Sequence, residues 1–273
     1  MRPWETYKAV VADIDDTVCP STRPLSAEMA RTIGEVVRGG RRFAFISGST
    51  MAHISAQVTP FLDVPHQLMA ASGSHYTSVE YAAGRPVVTE IHRLSFSPVE
   101  RELILGAIRR LVERRGLRSL TSTEDQIQDR GSQITLSALG RHAPEEAKRA
   151  FDPDGSLRLG MIRELVSEIG GGFTVRRGGT SSIDVTPGGM DKAWGIRRFL
   201  EHNRLDAADV LFFGDNLGPD GNDAPALRVV DCVAVSGPDH TLALLRDPAA
   251  AVAAALPAGS PPPSGSQPGR PGV

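Results

Sequence analysis

The sequence predicts an α/β fold: a parallel sheet with helices on both faces, interrupted by an α+β insertion. Three observations carry this. Short apolar runs alternate with helical patterns at the start, as in a βαβα unit. The texture changes from about residue 86, where strands and helices follow longer, antiparallel-looking connections. The first texture then returns near the end of the chain. The expected division is a core of residues 1–84 and 187–247, an inserted cap of residues 85–186, and a tail of residues 248–273.

The elements follow in order. "AVVA", Ala9–Ala12, is a short apolar run that reads as a buried strand. In "LSAEMARTIGEVVRGG", Ser26 suits an N-cap, and Met29, Ile33, Val36 and Val37 share one helical face. Gly39 and Gly40 end that helix. "RRFAFISGS" is a second strand stopping at Ser47, and "TMAHISAQV" a short helix. In the insertion, "HRLSFSPVERELILGAIRRLVERRG" reads as a strand and an Arg-rich helix. "SQITLSALG" alternates like a half-exposed strand, and "DGSLRLGMIRELVSEIG" is helical. "GFTVRRGGTSSIDVTP" is a strand pair around Gly-Gly. "DKAWGIRRFLEHN" is then a helix, "DVLFFGD" a strand ending in Asp215, and "CVAVSG" a last strand. "LPAGSPPPSGSQPGRPGV" has no apolar periodicity, and the tail is expected to be disordered.

Composition narrows the function classes. The chain is 40% hydrophobic and 23% charged, ordinary for a soluble globular protein. A net charge of -2 argues against a nucleic-acid footprint or a membrane-surface role. Two cysteines, Cys19 and Cys232, imply no disulfide framework. With no signal-peptide pattern and no apolar run of spanning length, the expectation is a cytoplasmic protein. The basic "RRLVERRGLR" has no interleaved aromatics and reads as a solvated face.

The chemistry lies at strand ends. Asp13, Ser47 and Asp215 each follow a strand of the expected parallel sheet, and such sheets bind ligands beyond their carboxyl ends. Asp13, Asp15 and Asp215 would then converge. Carboxylates this close repel, and a divalent cation relieves them. An all-oxygen set suits Mg²⁺. Taken singly, Asp13 is a polar stop, Ser47 a helix cap and Lys192 a solvated helix residue; taken together they make a phosphate-handling set.

"DIDDT", "FISGS", Lys192 and "FFGDNLGPDGND" resemble the four ordered motifs of the haloacid-dehalogenase phosphoryl-transfer superfamily. The insertion between the second and third motifs resembles a C2B-type cap on a Rossmann-like core. "DRGSQITLSALGRHAPEE" and "GGTSSIDVTPGGMDKAWGI" are similar to the phosphomannomutase branch. The resemblance implies that Asp13 is the nucleophile and Asp15 the general acid/base, with Ser47 and Lys192 holding the phosphoryl oxygens. It implies Mg²⁺ on Asp13, the backbone carbonyl of Asp15, and Asp215, with Asn222 and Asp223 contacting it directly or through water. Arg130, Arg141, Ser182 and Asp184 match sugar-phosphate positions in the cap, and Arg23, after the first motif, is a further candidate for substrate contact. A bidentate guanidinium suits a phosphate that is not transferred. Ser182 and Asp184, two apart on a strand, share a face. The branch also implies a homodimer through the cap. Asp16 stands where the family pattern has glycine, and the pattern gives it no role.

The leading expectation is a phosphatase of a hexose or related cyclitol phosphate. The alternative is a phosphohexomutase such as phosphomannomutase, and a third reading is an inactive sugar-phosphate binding protein. Intact Asp13, Asp15, Lys192 and Asp215 argue against the third.

Overall fold

The computed structural model describes residues 2–178, 180–219 and 221–263. Its strands are β1 (Ala9–Ala12), β2 (Arg42–Ile46), β3 (His66–Ala70), β4 (His75–Ala82), β5 (Arg85–Arg93), β6 (Ile127–Asp129), β7 (Ile134–Ser137), β8 (Phe173–Arg177), β9 (Ser182–Pro187), β10 (Val210–Gly214), β11 (Asp231–Ala234) and β12 (Ala255–Leu256). Its helices are α1 (Ala27–Arg38), α2 (Met51–Val58), α3 (Pro98–Arg114), α4 (Thr123–Gln126), α5 (Glu145–Phe151), α6 (Ser156–Ile169), α7 (Lys192–Asn203), α8 (Pro238–Arg246) and α9 (Pro248–Ala253). The chain divides into two compact units, one running up to Arg93 and resuming at Asp191, the other Leu94–Met190. Among the described residues, no helix is long and apolar enough to cross a membrane.

The first unit holds an eight-stranded sheet in the order β12-β11-β10-β1-β2-β3-β4-β5. The five strands from β11 to β3 are parallel, as the alternating pattern predicts; β12, β4 and β5 pair antiparallel. β1 is central and buried on both sides. Val10 and Ala12 pack in a cluster with Met29, Ile33 and Val36 of α1 and Leu244 and Leu245 of α8. Ala9 and Val11 pack in another with Ala193, Ile196 and Phe199 of α7. Continuous apolar strands arise because helices cover both faces. Register sets three strand ends level: Ala12 pairs with Phe213 of β10 and with Phe45 of β2. The next residues along, Asp13, Gly214 and Ile46, therefore line one edge of the sheet.

The second unit holds the antiparallel sheet β6-β7-β9-β8. Its alternation separates two faces. Ile134, Leu136, Ile183 and Val185 are at most 1% exposed and cluster with Ile104, Ile108 and Leu111 of α3 and Met161 and Leu165 of α6. Each such side chain contributes about 1.5–3 kcal/mol by burial. Thr135, Ser182 and Asp184 take the alternate positions and so the other face. α3 begins with a capping box between Ser97 and Glu100. Its basic face is paired rather than merely solvated: Arg110 and Arg114 bridge to Glu168, and Arg115 to Glu164, on α6.

Three boundaries differ from the sequence expectation; at the far end of the cap, residues 187–190, expected in the core, fall in the second unit. Residues 85–93 were expected in the cap, but β5 pairs with β4 along its length, from Ala82↔Arg85 to His75↔Arg93. The "AGRP" at the expected boundary is a hairpin turn, with positive φ at Ala83 (50°) and Gly84 (72°). The tail was expected to be disordered from residue 248. Instead Pro248–Ala253 forms α9, capped by Asp247, with Ala251 fully buried. β12 then pairs with β11. The expectation for residues 264–273 lies outside the described residues.

Candidate active site

The site in the first unit starts from β1. The Asp13 amide donates to the Phe213 carbonyl at 2.9 Å, continuing the ladder one residue beyond the strand. This fixes the backbone from which the Asp13 side chain projects. Lys192, in the first turn of α7, puts its Nζ 2.7 Å from Asp13 Oδ1 and also bridges to Asp223 Oδ1. Lys192 and Asp223 are 2% and 0% exposed. The helix N-terminus adds its own partial positive charge to this end of α7.

A second network holds Asp215. The Thr17 hydroxyl donates to Asp215 Oδ1 and accepts from the Asp215 amide, both at 3.1 Å. Asp223 Oδ2 accepts from the Asn216 amide at 3.0 Å. A side chain at Gly214 would meet that same Oδ2 at 2.6 Å, so glycine makes room for the buried acid. Oxygens of Asp13, Asp215 and Asp223 lie within 4.8 Å of one another. When all three are ionised, three carboxylates against one ammonium leave two negative charges.

Burial pushes the Asp13 carboxyl up to about 7; Lys192 pulls it back and Asp223 raises it further. Burial also raises Asp215, reinforced by Asp223 and opposed by the Thr17 hydrogen bond. Burial works against the charge on Lys192, but Asp13 and Asp223 outweigh it, and the ammonium persists.

Ser47 follows β2. Its hydroxyl accepts from the Ser49 amide at 3.0 Å, and its carbonyl accepts from the Ser72 amide at 2.9 Å. Ala71, Ser72 and Gly73 all have positive φ, at 46°, 57° and 97°. That turn presses on α7: a Cβ at Gly73 would lie 2.5 Å from Gly195 Cα. One strained turn therefore touches both the Ser47 loop and the helix that carries Lys192.

In the second unit, Thr135 and Asp184 are register partners, and the Thr135 hydroxyl donates to Asp184 Oδ1 at 2.6 Å. Gln133 Nε2 donates to Thr135 Oγ1 at 3.1 Å. Ser182 pairs with Ser137 further along the same strands. Arg130 and Arg141 flank β7 at opposite ends. Arg130 reaches Gln128 at 2.6 Å, and Arg141 lies 3.5 Å from Asp125 and donates to His142 at 2.9 Å.

A family model described as eukaryotic phosphomannomutase matches residues 120–248. The phosphomannomutase of Saccharomyces cerevisiae is 25% identical over 246 residues, covering 87% of this chain and 92% of that protein. The chain is similar over most of its length to phosphomannomutases and resembles the phosphomannomutase-like branch of the haloacid-dehalogenase superfamily. Human phosphomannomutase 1 is 26% identical over 217 residues, covering 77% of this chain and 79% of its own. Among solved structures, a haloacid-dehalogenase-like hydrolase from Bacteroides thetaiotaomicron superposes with a TM-score of 0.60 at 14% identity, covering 88% of this chain and 99% of that one. The IMP-nucleotidase of Plasmodium falciparum gives 0.66 at 15%, covering 89% and 62%. These two likenesses establish the haloacid-dehalogenase fold.

Of the expected core residues, the structure gathers Asp13, Lys192, Asp215 and Asp223. Asn222 is exposed while its neighbour Asp223 is buried. Asp223 is also not only a carboxylate for a metal, since it holds Lys192. Arg23 is exposed, and its carbonyl accepts from Gln57. Asp15 is held through Oδ1 by the Thr22 amide at 2.8 Å and Gln57 Nε2 at 3.1 Å. Thr17 and Gln57 were missed. Thr17 had a signal, its place within "DIDDT"; Gln57 had none. Asp16 now has a structural role. Its φ is 58°, its amide donates to the Cys19 carbonyl, and its Oδ1 accepts from the Ser21 amide at 3.0 Å. After glycine, Asp and Asn adopt this left-handed conformation most readily.

Proposed function

We propose that this chain is a Mg²⁺-dependent phosphoryl-transfer enzyme acting on a hexose phosphate through an aspartyl-phosphate at Asp13, and that it works as a phosphohexomutase. The observation that carries the phosphoryl-transfer chemistry is the Asp13 carboxylate 2.7 Å from a buried Lys192, beside Asp215 and Asp223. The residual charge of minus two, borne on oxygen, fits a divalent hard cation. Asp13 and Asp215, backed by Asp223, would hold Mg²⁺, which when bound supplies neutralising charge to the transferring group.

Asp13 attacks phosphorus and the bond from phosphorus to the sugar oxygen breaks. That oxygen takes a proton from Asp15. In the second half, an incoming hydroxyl gives its proton to Asp15, its oxygen bonds phosphorus, and the Asp13–phosphorus bond breaks. Lys192 and Ser47 hold the phosphoryl oxygens, so catalysis rests on positioning and charge. Ser182 and Asp184, on one strand face, suit sugar hydroxyls, and Arg130 and Arg141 suit anionic groups.

Sequence reasoning ranks a phosphatase first, with water as the acceptor. The relatives that span this chain are phosphomannomutases, which supports the mutase over the phosphatase. The test is a panel of hexose 1- and 6-phosphates, with and without hexose 1,6-bisphosphate, following isomer and free phosphate together. Isomer formed without free phosphate, and stimulated by bisphosphate, is the expected result. Free phosphate without isomer would assign a phosphatase, and turnover of neither kind would refute the whole reading.

A further inference from the structure

Gln57 lies on α2, outside the sequence motifs, yet is only 4% exposed. Its Nε2 reaches Asp15 Oδ1 and the Arg23 carbonyl, each at 3.1 Å, and Cys19 Sγ at 3.8 Å. Its backbone carbonyl accepts from the Leu25 amide at 3.0 Å. One residue thus contacts the loop between Asp15 and Leu25 at four points, its two Nε2 hydrogens directed to the two oxygens. Both oxygens facing Nε2 are acceptors only, so the orientation of the amide is decided.

Two further features separate this from ordinary packing. Oε1 of Gln57 is buried without a hydrogen-bond partner among the described residues. A desolvated acceptor lowers stability, so an apolar residue of the same shape would suit a purely structural position better. The second donor to Asp15 comes from Thr22, a β-branched residue with φ of 62°. That conformation is strained for threonine, and it aims the Thr22 amide at the same Oδ1. Among the described residues, Oδ2 of Asp15 accepts no hydrogen bond, so it is the oxygen left for proton exchange.

We propose that Gln57 is a positioning residue for the proton-transfer step: with the Thr22 amide it anchors Asp15 Oδ1 and so presents Oδ2 to the leaving and entering oxygens. This rests on the reading of Asp15 as general acid and base.

The leaving group supplies the test. Breaking the bond to a sugar oxygen needs a proton from Asp15; releasing dinitrophenolate from 2,4-dinitrophenyl phosphate does not. Single-turnover rates on a hexose phosphate and on the aryl phosphate are compared for the wild type, Gln57→Met, Gln57→Leu and Asp15→Asn, alongside thermal unfolding. Met and Leu remove both donors at similar volume. Each Gln57 variant should lose about tenfold more rate on the hexose phosphate than on the aryl phosphate, the size of one charge-assisted hydrogen bond. Asp15→Asn should show a larger difference, about 10²- to 10⁴-fold. Equal losses on both substrates in the Gln57 variants, or unfolding of both, would overturn the proposal. Equal losses in Asp15→Asn would instead overturn the role given to Asp15.

Discussion

Replacing Lys192 by Met removes the cation between Asp13 and Asp223 while keeping an unbranched side chain of similar length. At 2.7 Å the attraction to Asp13 is about 6 kcal/mol gross, at an effective dielectric constant near 20. Desolvation cancels part of this, and breaking a buried pair costs about 3–5 kcal/mol because a charge is left behind. For a chain of this size that corresponds to a fall in Tm of about 10 °C. Burial already pushes Asp13 up to about 7, and without Lys192 it rises further. The folded variant therefore binds a proton that the unfolded chain releases, so its stability falls as pH rises. The deficit should widen between pH 6 and pH 8. Mg²⁺ replaces the lost positive charge, so it should raise the Tm of the variant more than that of the wild type. Differential scanning calorimetry in EDTA and in Mg²⁺, at both pH values, measures all of this. A variant as stable as the wild type in EDTA, or one that Mg²⁺ stabilises less than the wild type, would refute the electrostatic reasoning.

Asp16→Gly should leave the fold intact and change stability by less than about 1 kcal/mol, because glycine accepts φ of 58° freely; Asp16→Val should destabilise clearly in urea denaturation. Thr135→Val removes the donor to Asp184 and should raise KM for a hexose phosphate about tenfold with kcat little changed, whereas Thr135→Ser should restore it. Asp152 and Arg158 form a buried pair at 2.7 Å. Burial pushes the Asp152 carboxyl up, but Arg158 and the amides of Leu157 and Arg158 outweigh this and hold it below its ordinary value. Its stabilisation is complete above the ordinary carboxylate range, about pH 4, and is lost as pH falls through the lowered value. Asp152→Asn should therefore flatten the acid limb of the stability curve.

How much the sequence foretold depended on whether local pattern or long-range packing decides each feature. The parallel sheet was legible because both-face burial forces continuous apolar runs, as in Ala9–Ala12 and Val210–Gly214. Asp13, Ser47 and Asp215 were legible because they interrupt such runs at strand ends, where the fold puts ligands. Lys192 needed the ordered motifs, since a lysine opening a helix is unremarkable by itself. The pairing of Asp223 with Lys192 was not legible: "GND" shows two polar neighbours, and only the tertiary fold buries Asp223 and exposes Asn222. Gln57 gave no signal, because a glutamine in a short helix looks the same whether it faces water or a carboxylate. Asp16 had no role in the sequence pattern; the backbone angle that explains it is invisible in sequence. β5 was misplaced because Gly84 and Pro86 mark a linker and a hairpin equally well. The alanine-rich stretch before residue 257 lacks a helical stripe, yet its small side chains pack through Ala251.

The central claim is that Asp13 carries the phosphoryl group. Rapid acid quenching during turnover of a hexose phosphate labelled at phosphorus, followed by borohydride reduction and peptide mapping, reads it directly. Borohydride converts an aspartyl-phosphate to homoserine. The account predicts homoserine at position 13, dependent on substrate and absent from Asp13→Asn. Turnover with no modification there, or turnover retained in Asp13→Asn, would contradict it.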